Sequence, residues 1–181
     1  MEITIISIAR NQIAAAFPDA EAATLSWVIT AYNIGVASLL LPAGWMADRY
    51  GRKKVFLWGL AAFIFGSLLS GVAATPSLLI GARVVQSIGG AAQYPAGLAL
   101  LLSAFPIEHR MRAIGVWGAV SGLAAALAPS LGAVLIEGFG WRAVFLINVP
   151  VALVALIAGR SWLGESKGDE VGERVDLVSV P

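Results

Sequence analysis

The chain contains no cysteine, which excludes disulfide bonds, thiolate metal sites and cysteine nucleophiles. It is also poor in charge, because Asp, Glu, Lys and Arg make up 13% of its 181 residues and there is one histidine. Hydrophobic residues make up 59%, and the mean hydropathy of +0.83 is too high for a water-soluble domain of this size. The composition therefore predicts a protein whose solvent is the lipid bilayer.

The apolar residues come in blocks of roughly 20, the length that a helix needs to cross a hydrocarbon core of about 30 Å. Backbone groups in lipid must bond within their own segment, so long blocks without two-residue alternation predict helices rather than barrel strands. We expect an all-α integral membrane bundle of six transmembrane helices over residues 1–160, followed by a cytoplasmic linker or tail over 161–181. The predicted spans are residues 1–17, 25–47, 55–73, 78–104, 113–136 and 143–158.

The first block is short and polar for a complete span. It stops before Pro18 and contains Glu2, Arg10 and Asn11. This pattern predicts a truncated first helix, in which the chain begins inside the span.

Basic residues lie mainly on one side of the predicted bundle. Nine of the twelve follow spans two, four or six: Arg49, Arg52, Lys53, Lys54, Arg110, Arg112, Arg160, Lys167 and Arg174. Because positive charge is enriched in cytoplasmic loops, these loops and the tail are predicted to face the cytoplasm. The segment 18–24 then faces outward.

The loop over residues 44–54 joins the second and third spans and carries several readable features. Gly44 permits close approach of another helix, and Gly51 permits a tight reversal. Asp48 is predicted to pair with a basic side chain or to point at a helix N-terminus, since either stabilises an anion. A basic turn that serves topology alone would explain the same composition.

The order of residues in this 44–54 loop resembles the signature loop of the major facilitator superfamily, G-x-L-A-D-R-x-G-R-K. The matching positions are Gly44, Ala47, Asp48, Arg49, Gly51, Arg52 and Lys53, with Met46 in place of Leu. The resemblance implies a conformational latch that closes the cytoplasmic side by docking against the opposite half of a transporter.

A polar stripe marks the fourth predicted span. Arg83, Gln86, Ser87, Gly90 and Tyr94 recur at helical spacing, which predicts a face turned toward a cavity or another helix. The alternative is an arginine that snorkels to the outer interface. The stretch resembles the second antiporter motif, l-x-x-x-R-x-x-q-G-x-g-a-a, at Leu79, Arg83, Gln86, Gly89 and Ala91, which implies a role for Arg83 in proton transfer. Together with the polar stripe, this predicts a proton or substrate pathway at Arg83, Gln86 and Tyr94.

Small residues recur every four positions in the fifth span, at Gly118, Gly122 and Ala126, and predict intimate helix packing. Pro129 removes one backbone bond and bends the helix. The stretch from Pro129 to Gly132 resembles a degenerate form of the antiporter motif G-P-x-x-G-G, which implies an antiporter packing helix.

Two further stretches resemble the fourteen-span drug:proton antiporters. Residues 141–150 resemble W-R-w-i-F-l-i-N-v-P, with Trp141 expected at the outer interface and Arg142 reaching headgroups. Residues 2–9 resemble the first-span motif l-D-x-T-I-v-n-v-A-l-P, which implies that Glu2 replaces its aspartate as a proton or cation site.

The leading hypothesis is half of a secondary transporter in the bacterial plasma membrane, a multi-pass protein that exports hydrophobic or cationic drugs in exchange for protons. Its partners would be lipid, protons, a small-molecule substrate, and a missing C-terminal half or a second copy. Alternatives are a carrier of sugars or metabolites and a truncated fragment without transport. No cofactor, metal site, nucleic-acid surface or catalytic residue is predicted. An intramembrane serine protease is disfavoured, because it needs a histidine within the membrane and the lone His109 falls in a predicted cytoplasmic loop.

Topology can be tested directly because the chain has no native cysteine. We expect a membrane-impermeant thiol reagent added from outside to modify Ala22→Cys or Phe139→Cys and to spare Lys53→Cys and Arg110→Cys. Permeabilised cells provide the control, since all four variants should then react. The opposite accessibility would overturn the assigned orientation.

Overall fold

A computed structural model describes the backbone of residues 2–166 and the side chains of residues 9–166. Within this part the chain is helical and contains no strand, which confirms the all-α prediction. The helices are α1 (Glu2–Ala16), α2 (Ala22–Tyr50), α3 (Arg52–Gly71), α4 (Pro76–Ala104), α5 (Ile107–Phe139), α6 (Ala143–Leu146) and α7 (Asn148–Trp162).

The sixth predicted span is formed by α6 and α7 together. Ile147 separates them but keeps helical dihedral angles, with φ of −62° and ψ of −26°, so the axis continues across the break. The combined segment Ala143–Trp162 has 20 residues. The described chain therefore forms six helical segments, which is consistent with a half bundle.

In the described part, length and composition suit four segments for crossing a membrane: α2, α3, α5 and the combined α6 and α7. The helix α1 has only 15 residues. The helix α4 is long enough at 29 residues, but polar side chains such as Arg83 and Gln86 lower its hydropathy. These two helices belong to the bundle, although the length of α1 and the hydropathy of α4 do not by themselves predict a membrane span.

Several helices, α5 above all, are longer than the apolar blocks predicted. For example, α5 begins at Ile107, six residues before the predicted start at 113. His109, expected in a loop, therefore lies in the first turn of α5. Amphipathic ends extend a helix beyond its apolar stretch, which hydropathy alone does not detect.

The helix α4 lies against both α2 and α3, and glycines allow the closest approach. A Cβ added at Gly66 of α3 would lie 2.6 Å from the backbone nitrogen of Gln86 in α4, and one at Gly59 would lie 3.1 Å from the carbonyl oxygen of Gly89. Small residues at such crossings let backbones pack directly, which is how helices associate in lipid without a hydrophobic driving force.

A second cluster joins α1, α5 and α6 around Trp141. This side chain is 5% exposed, and its ring centroid lies 5.9 Å from that of Phe17 and 6.1 Å from that of Phe145. The prediction that Trp141 anchors the outer interface is therefore wrong within this bundle. The indole is a core residue, because the turn before α6 folds it inward onto α1.

Arg142 is exposed, but it also makes a specific contact. Its Nη2 donates to the carbonyl oxygen of Ala73, just beyond the end of α3, at 3.0 Å, and its Cζ lies 4.3 Å from the Trp141 ring centroid. A cation near the C-terminus of a helix is favourable because the last carbonyls are unpaired. Arg142 therefore ties the start of α6 to the end of α3.

We expect Gly66→Ala to destabilise the protein by about 1–3 kcal/mol, because the new methyl group would strike the α4 backbone, which cannot move aside alone. Thermal unfolding in detergent micelles measures the change. Gly118→Ala is the matched control, since a Cβ at Gly118 meets no atom within 4 Å. Equal melting temperatures for the two variants would contradict the close α3–α4 crossing.

Candidate functional site

The most deeply placed charge among the described side chains is Arg83. It lies two turns into α4 and is 0% exposed. Its Nε donates to the carbonyl oxygen of Val28 in α2 at 3.0 Å, and its Nη1 donates to Oε1 of Gln86 at 2.6 Å. Its Cζ lies 4.0 Å from the ring centroid of Tyr32, also in α2. This geometry differs from that of a snorkelling anchor, whose charged head would be exposed.

Gln86 extends this network to a third helix. Its Nε2 donates to Oγ of Ser67 in α3 at 2.8 Å, and both side chains are fully buried. Hydrogen bonds in a low-dielectric interior strengthen one another, and an unmade one is costly. The Arg83 network therefore links α2, α4 and α3 through polar contacts inside an otherwise apolar bundle.

Arginine suits this position because its flat guanidinium has several fixed donors and stacks on aromatic faces. The cation above Tyr32 gains roughly 2 kcal/mol or more where it is desolvated. A lysine would carry the charge, but it could not bond Val28 and Gln86 from two separate nitrogens. The site therefore requires the shape of the group as well as its charge.

Tyr94 does not join the Arg83 network. It follows Arg83 by eleven residues, about 16 Å along α4, and its side chain is 60% exposed. Its ring contacts Trp117 of α5, with the centroids 5.4 Å apart. The predicted polar face continues along the helix and α2 follows α4 as far as Pro95, but the Tyr94 ring packs on α5 instead of on α2. Tyr94 therefore makes no direct contact with the Arg83 network, and its place on a proton or substrate pathway stays a prediction.

In the structure the 44–54 loop is almost wholly helical, since α2 runs to Tyr50 and α3 begins at Arg52. The predicted reversal lies at Gly51 alone, whose φ is +115°, a region that side-chain-bearing residues rarely occupy. Asp48 pairs with Arg52: Oδ1 accepts from Nε at 3.0 Å and from Nη2 at 2.9 Å. The Asp48 side chain is 56% exposed, so the pair is worth about 0–1 kcal/mol. Gly44 is in ordinary contact with Pro95 of α4, whose Cβ would lie 3.6 Å from an added Cβ.

Two other basic residues of the 44–54 loop have partners. Arg49 lies over the rings of Trp45 and Tyr50, with its Cζ 5.4 Å and 5.9 Å from their centroids. Lys53 extends its Nζ to the end of α7 and donates to the carbonyl oxygens of Arg160 at 3.0 Å and Leu163 at 2.7 Å. A cation there complements the unpaired carbonyls of the last helical turn.

The helix α5 contacts the rest of the described chain mainly through its second half. Ala128, Gly132 and Ile136 are buried, whereas between Ile107 and Leu127 only Ala113 is. A Cβ at Gly118 or Gly122 would meet no atom within 4 Å, and Pro129 is exposed. The described part therefore gives the predicted packing face of Gly118 and Gly122 no partner helix, and their packing role stays a prediction.

Two apolar hollows of similar size open on the bundle surface. One, of about 540 Å³, lies between α4 and α5 and is lined by Leu101, Phe105, His109, Arg112, Ala113, Val116, Trp117 and Val120. The other, of about 510 Å³, lies between α2, α3 and α4, with Lys54, Tyr50 and Trp58 among its lining residues. Both have the volume of a small-molecule site, and apolar side chains form most of their lining.

Some predicted features fall outside what the structure describes. Glu2 lies in α1, but its side chain is outside the described part. Lys167 and Arg174 of the predicted tail also lie beyond residue 166. Among the described residues, no group of three His, Asp or Glu side chains could hold a metal ion.

Sequence reasoning missed Tyr32, Ser67 and the Val28 carbonyl as partners of the Arg83 network. Each comes from a helix other than α4, so the spacing of residues along α4 could not predict it. Tyr32 and Ser67 did offer a weak signal, because polar atoms inside apolar spans need partners.

Comparison with known proteins gives the class to which this architecture belongs. The sequence matches the Major Facilitator Superfamily over residues 3–175, and the chain belongs to this superfamily of membrane transporters.

Several curated relatives are bacterial proteins with names that refer to resistance or transport. The chain is 35% identical over 157 residues to the methylenomycin A resistance protein of Streptomyces coelicolor, covering 86% of this chain and 33% of that protein. It is 38% identical over 156 residues to multidrug resistance protein 3 of Bacillus subtilis, covering 86% and 30%. It is 32% identical over 174 residues to the riboflavin transporter RibZ of Clostridioides difficile, covering 96% and 38%. The chain spans about a third of the length of the curated relatives that it matches.

Proposed function

We propose that this chain is the N-terminal half of a proton-coupled antiporter that exports hydrophobic or cationic compounds from bacteria. The observation that carries the proposal is the fully buried Arg83, held between α2, α4 and α3. A charge enclosed in a membrane bundle costs several kcal/mol unless it is paired, and such residues commonly mark ion and proton pathways.

Arg83 would act as a fixed positive charge rather than as the proton carrier, because a guanidinium stays protonated in proteins. A fixed cation stabilises a carboxylate near it and opposes the approach of another cation. Proton uptake by an acidic group on the pathway would therefore change how strongly a cationic substrate is held. Glu2 of α1 is the acidic residue that we propose for this role.

The substrate class rests on the relatives. Those named for resistance to methylenomycin A, to tetracenomycin C and to multiple drugs favour export of hydrophobic or cationic drugs. A second candidate is a metabolite carrier, which is favoured by the similarity to a riboflavin transporter. Competition between a labelled drug and riboflavin for transport would separate the two.

The 44–54 loop is proposed to be the conformational latch of this transporter. Asp48 is exposed and contacts Arg52 through Oδ1 alone, so its carboxylate can still accept a hydrogen bond from a donor outside the bundle. Its partner would be a second half or a second copy, which would also cover Gly118 and Gly122 on α5. With the basic loops inside, the latch would close the cytoplasmic face of a plasma-membrane protein, and the tail would lie in the cytoplasm.

Asp48→Asn should impair transport without preventing membrane insertion, because insertion depends on apolar spans and flanking positive charge. The assay is efflux by a chimaera in which residues 1–166 replace the matching segment of a full-length relative, compared at equal expression. Asp19→Asn is the control, since Asp19 lies in the turn before α2. Efflux by Asp48→Asn at the rate of the parent chimaera would contradict the latch role.

Both Arg83→Lys and Arg83→Ala should reduce drug-driven proton flux in proteoliposomes containing the same chimaera. Lysine keeps the charge but loses the fork that bonds Val28 and Gln86, and alanine loses both. Arg142→Lys is the matched control, because an exposed lysine can still reach a carbonyl. Parental flux with Arg83→Ala would end the functional interpretation of this residue.

A further inference from the structure

The segment that follows α7 lies directly on the 44–54 loop. The backbone N–H of Arg52 donates to the carbonyl oxygen of Ser166 at 2.8 Å, and that of Lys53 donates to Oε1 of Glu165 at 3.0 Å. Lys53 in turn donates through its Nζ to the carbonyl oxygens of Arg160 and Leu163. Four hydrogen bonds therefore hold the start of α3 to residues 160–166.

These contacts form a reciprocal pair of helix caps. The N-terminus of α3 receives the carboxylate of Glu165, and the C-terminus of α7 receives the ammonium of Lys53. Each charge has the sign that the helix end favours, and each satisfies backbone groups that the helix itself leaves unpaired. No side chain near Gly51 in sequence caps α3, so Glu165 supplies this cap from 112 residues away.

Gly51 makes room for this contact. A Cβ at Gly51 would lie 2.7 Å from Oε1 of Glu165 and 2.9 Å from its carboxyl carbon. Glycine at this position therefore serves two purposes, since it also adopts the positive φ of the reversal.

The cap has a consequence for Asp48. Asp48 lies in the last turn of α2, where the helix dipole disfavours an anion, and the nearby N-terminus of α3 would attract it. In the structure Glu165 occupies that N-terminus. Asp48 is left on Arg52 alone, and its side chain stays 56% exposed.

We propose that Glu165 is a positioning residue for Asp48: by occupying the N-terminus of α3, it keeps the Asp48 carboxylate turned outward, where a second half can engage it. This inference rests on the proposed latch role of the 44–54 loop. Removing the Glu165 carboxylate leaves the amide of Lys53 open, and Asp48 turns inward to replace the lost cap.

The test uses the whole 181-residue chain in lipid nanodiscs and needs no transport. Glu165→Ala removes the cap, Glu165→Gln keeps an acceptor without charge, and Glu137→Gln is the control, because Glu137 is an exposed glutamate of α5. Hydrogen–deuterium exchange reports on the amide of Lys53. Carbodiimide labelling of carboxylates, read by mass spectrometry, reports on the exposure of Asp48.

With Glu165→Ala we expect exchange at Lys53 to rise by about tenfold or less, since Asp48 partly replaces the lost acceptor, and labelling of Asp48 to fall at least twofold. Glu165→Gln should give smaller changes in the same directions, and Glu137→Gln none. Faster exchange with unchanged Asp48 labelling would show Glu165 to be a local cap only and would overturn the positioning role. No change in either measurement would overturn the contact itself. A failure of Asp48→Asn to impair efflux would instead refute the latch and leave these two measurements unaffected.

Discussion

The bundle depends on how it accommodates the charge of Arg83 without solvent. A guanidinium with 0% exposure needs hydrogen-bond acceptors for its N–H groups and an electron-rich surface within the protein. Here the Val28 carbonyl and Gln86 accept hydrogen bonds, and the Tyr32 ring faces the cation. Those groups lie on two helices, so α2 and α4 must pack at one register. Because Gln86 also bonds Ser67, the register of α3 is constrained by the same charge.

Close helix packing makes these short bonds possible. At Gly66 the backbone of α3 comes so near to Gln86 that any side chain would clash, and the glycine thus brings Ser67 within reach of the amide. In lipid, such contacts replace the hydrophobic effect as the source of helix association. The same glycines that reduce helix propensity in water are therefore tolerated, because tertiary contact compensates for their flexibility.

The helix ends are organised by a different rule. Near the predicted cytoplasmic side, Lys53 and Glu165 complement the ends of α7 and α3, while Asp48 and Arg52 pair across the reversal at Gly51. The basic run on which the topology prediction rests therefore also supplies a helix cap through Lys53. Residues 163–166, which follow α7, are thus attached by hydrogen bonds to the very loop that is proposed to meet the second half.

Hydropathy by itself determined the helical class, the number of helical segments and their approximate positions, because the bilayer imposes length and internal hydrogen bonding on any segment that crosses it. The glycine at position 51 predicted the reversal, because glycine adopts a positive φ without strain. Only the tertiary structure decided the partners: Trp141 proved buried, Tyr94 stood apart from Arg83, and Lys53 found Glu165 across 112 residues. Those outcomes depend on how helix faces meet, and spacing along one helix holds no information about which atoms its neighbour presents.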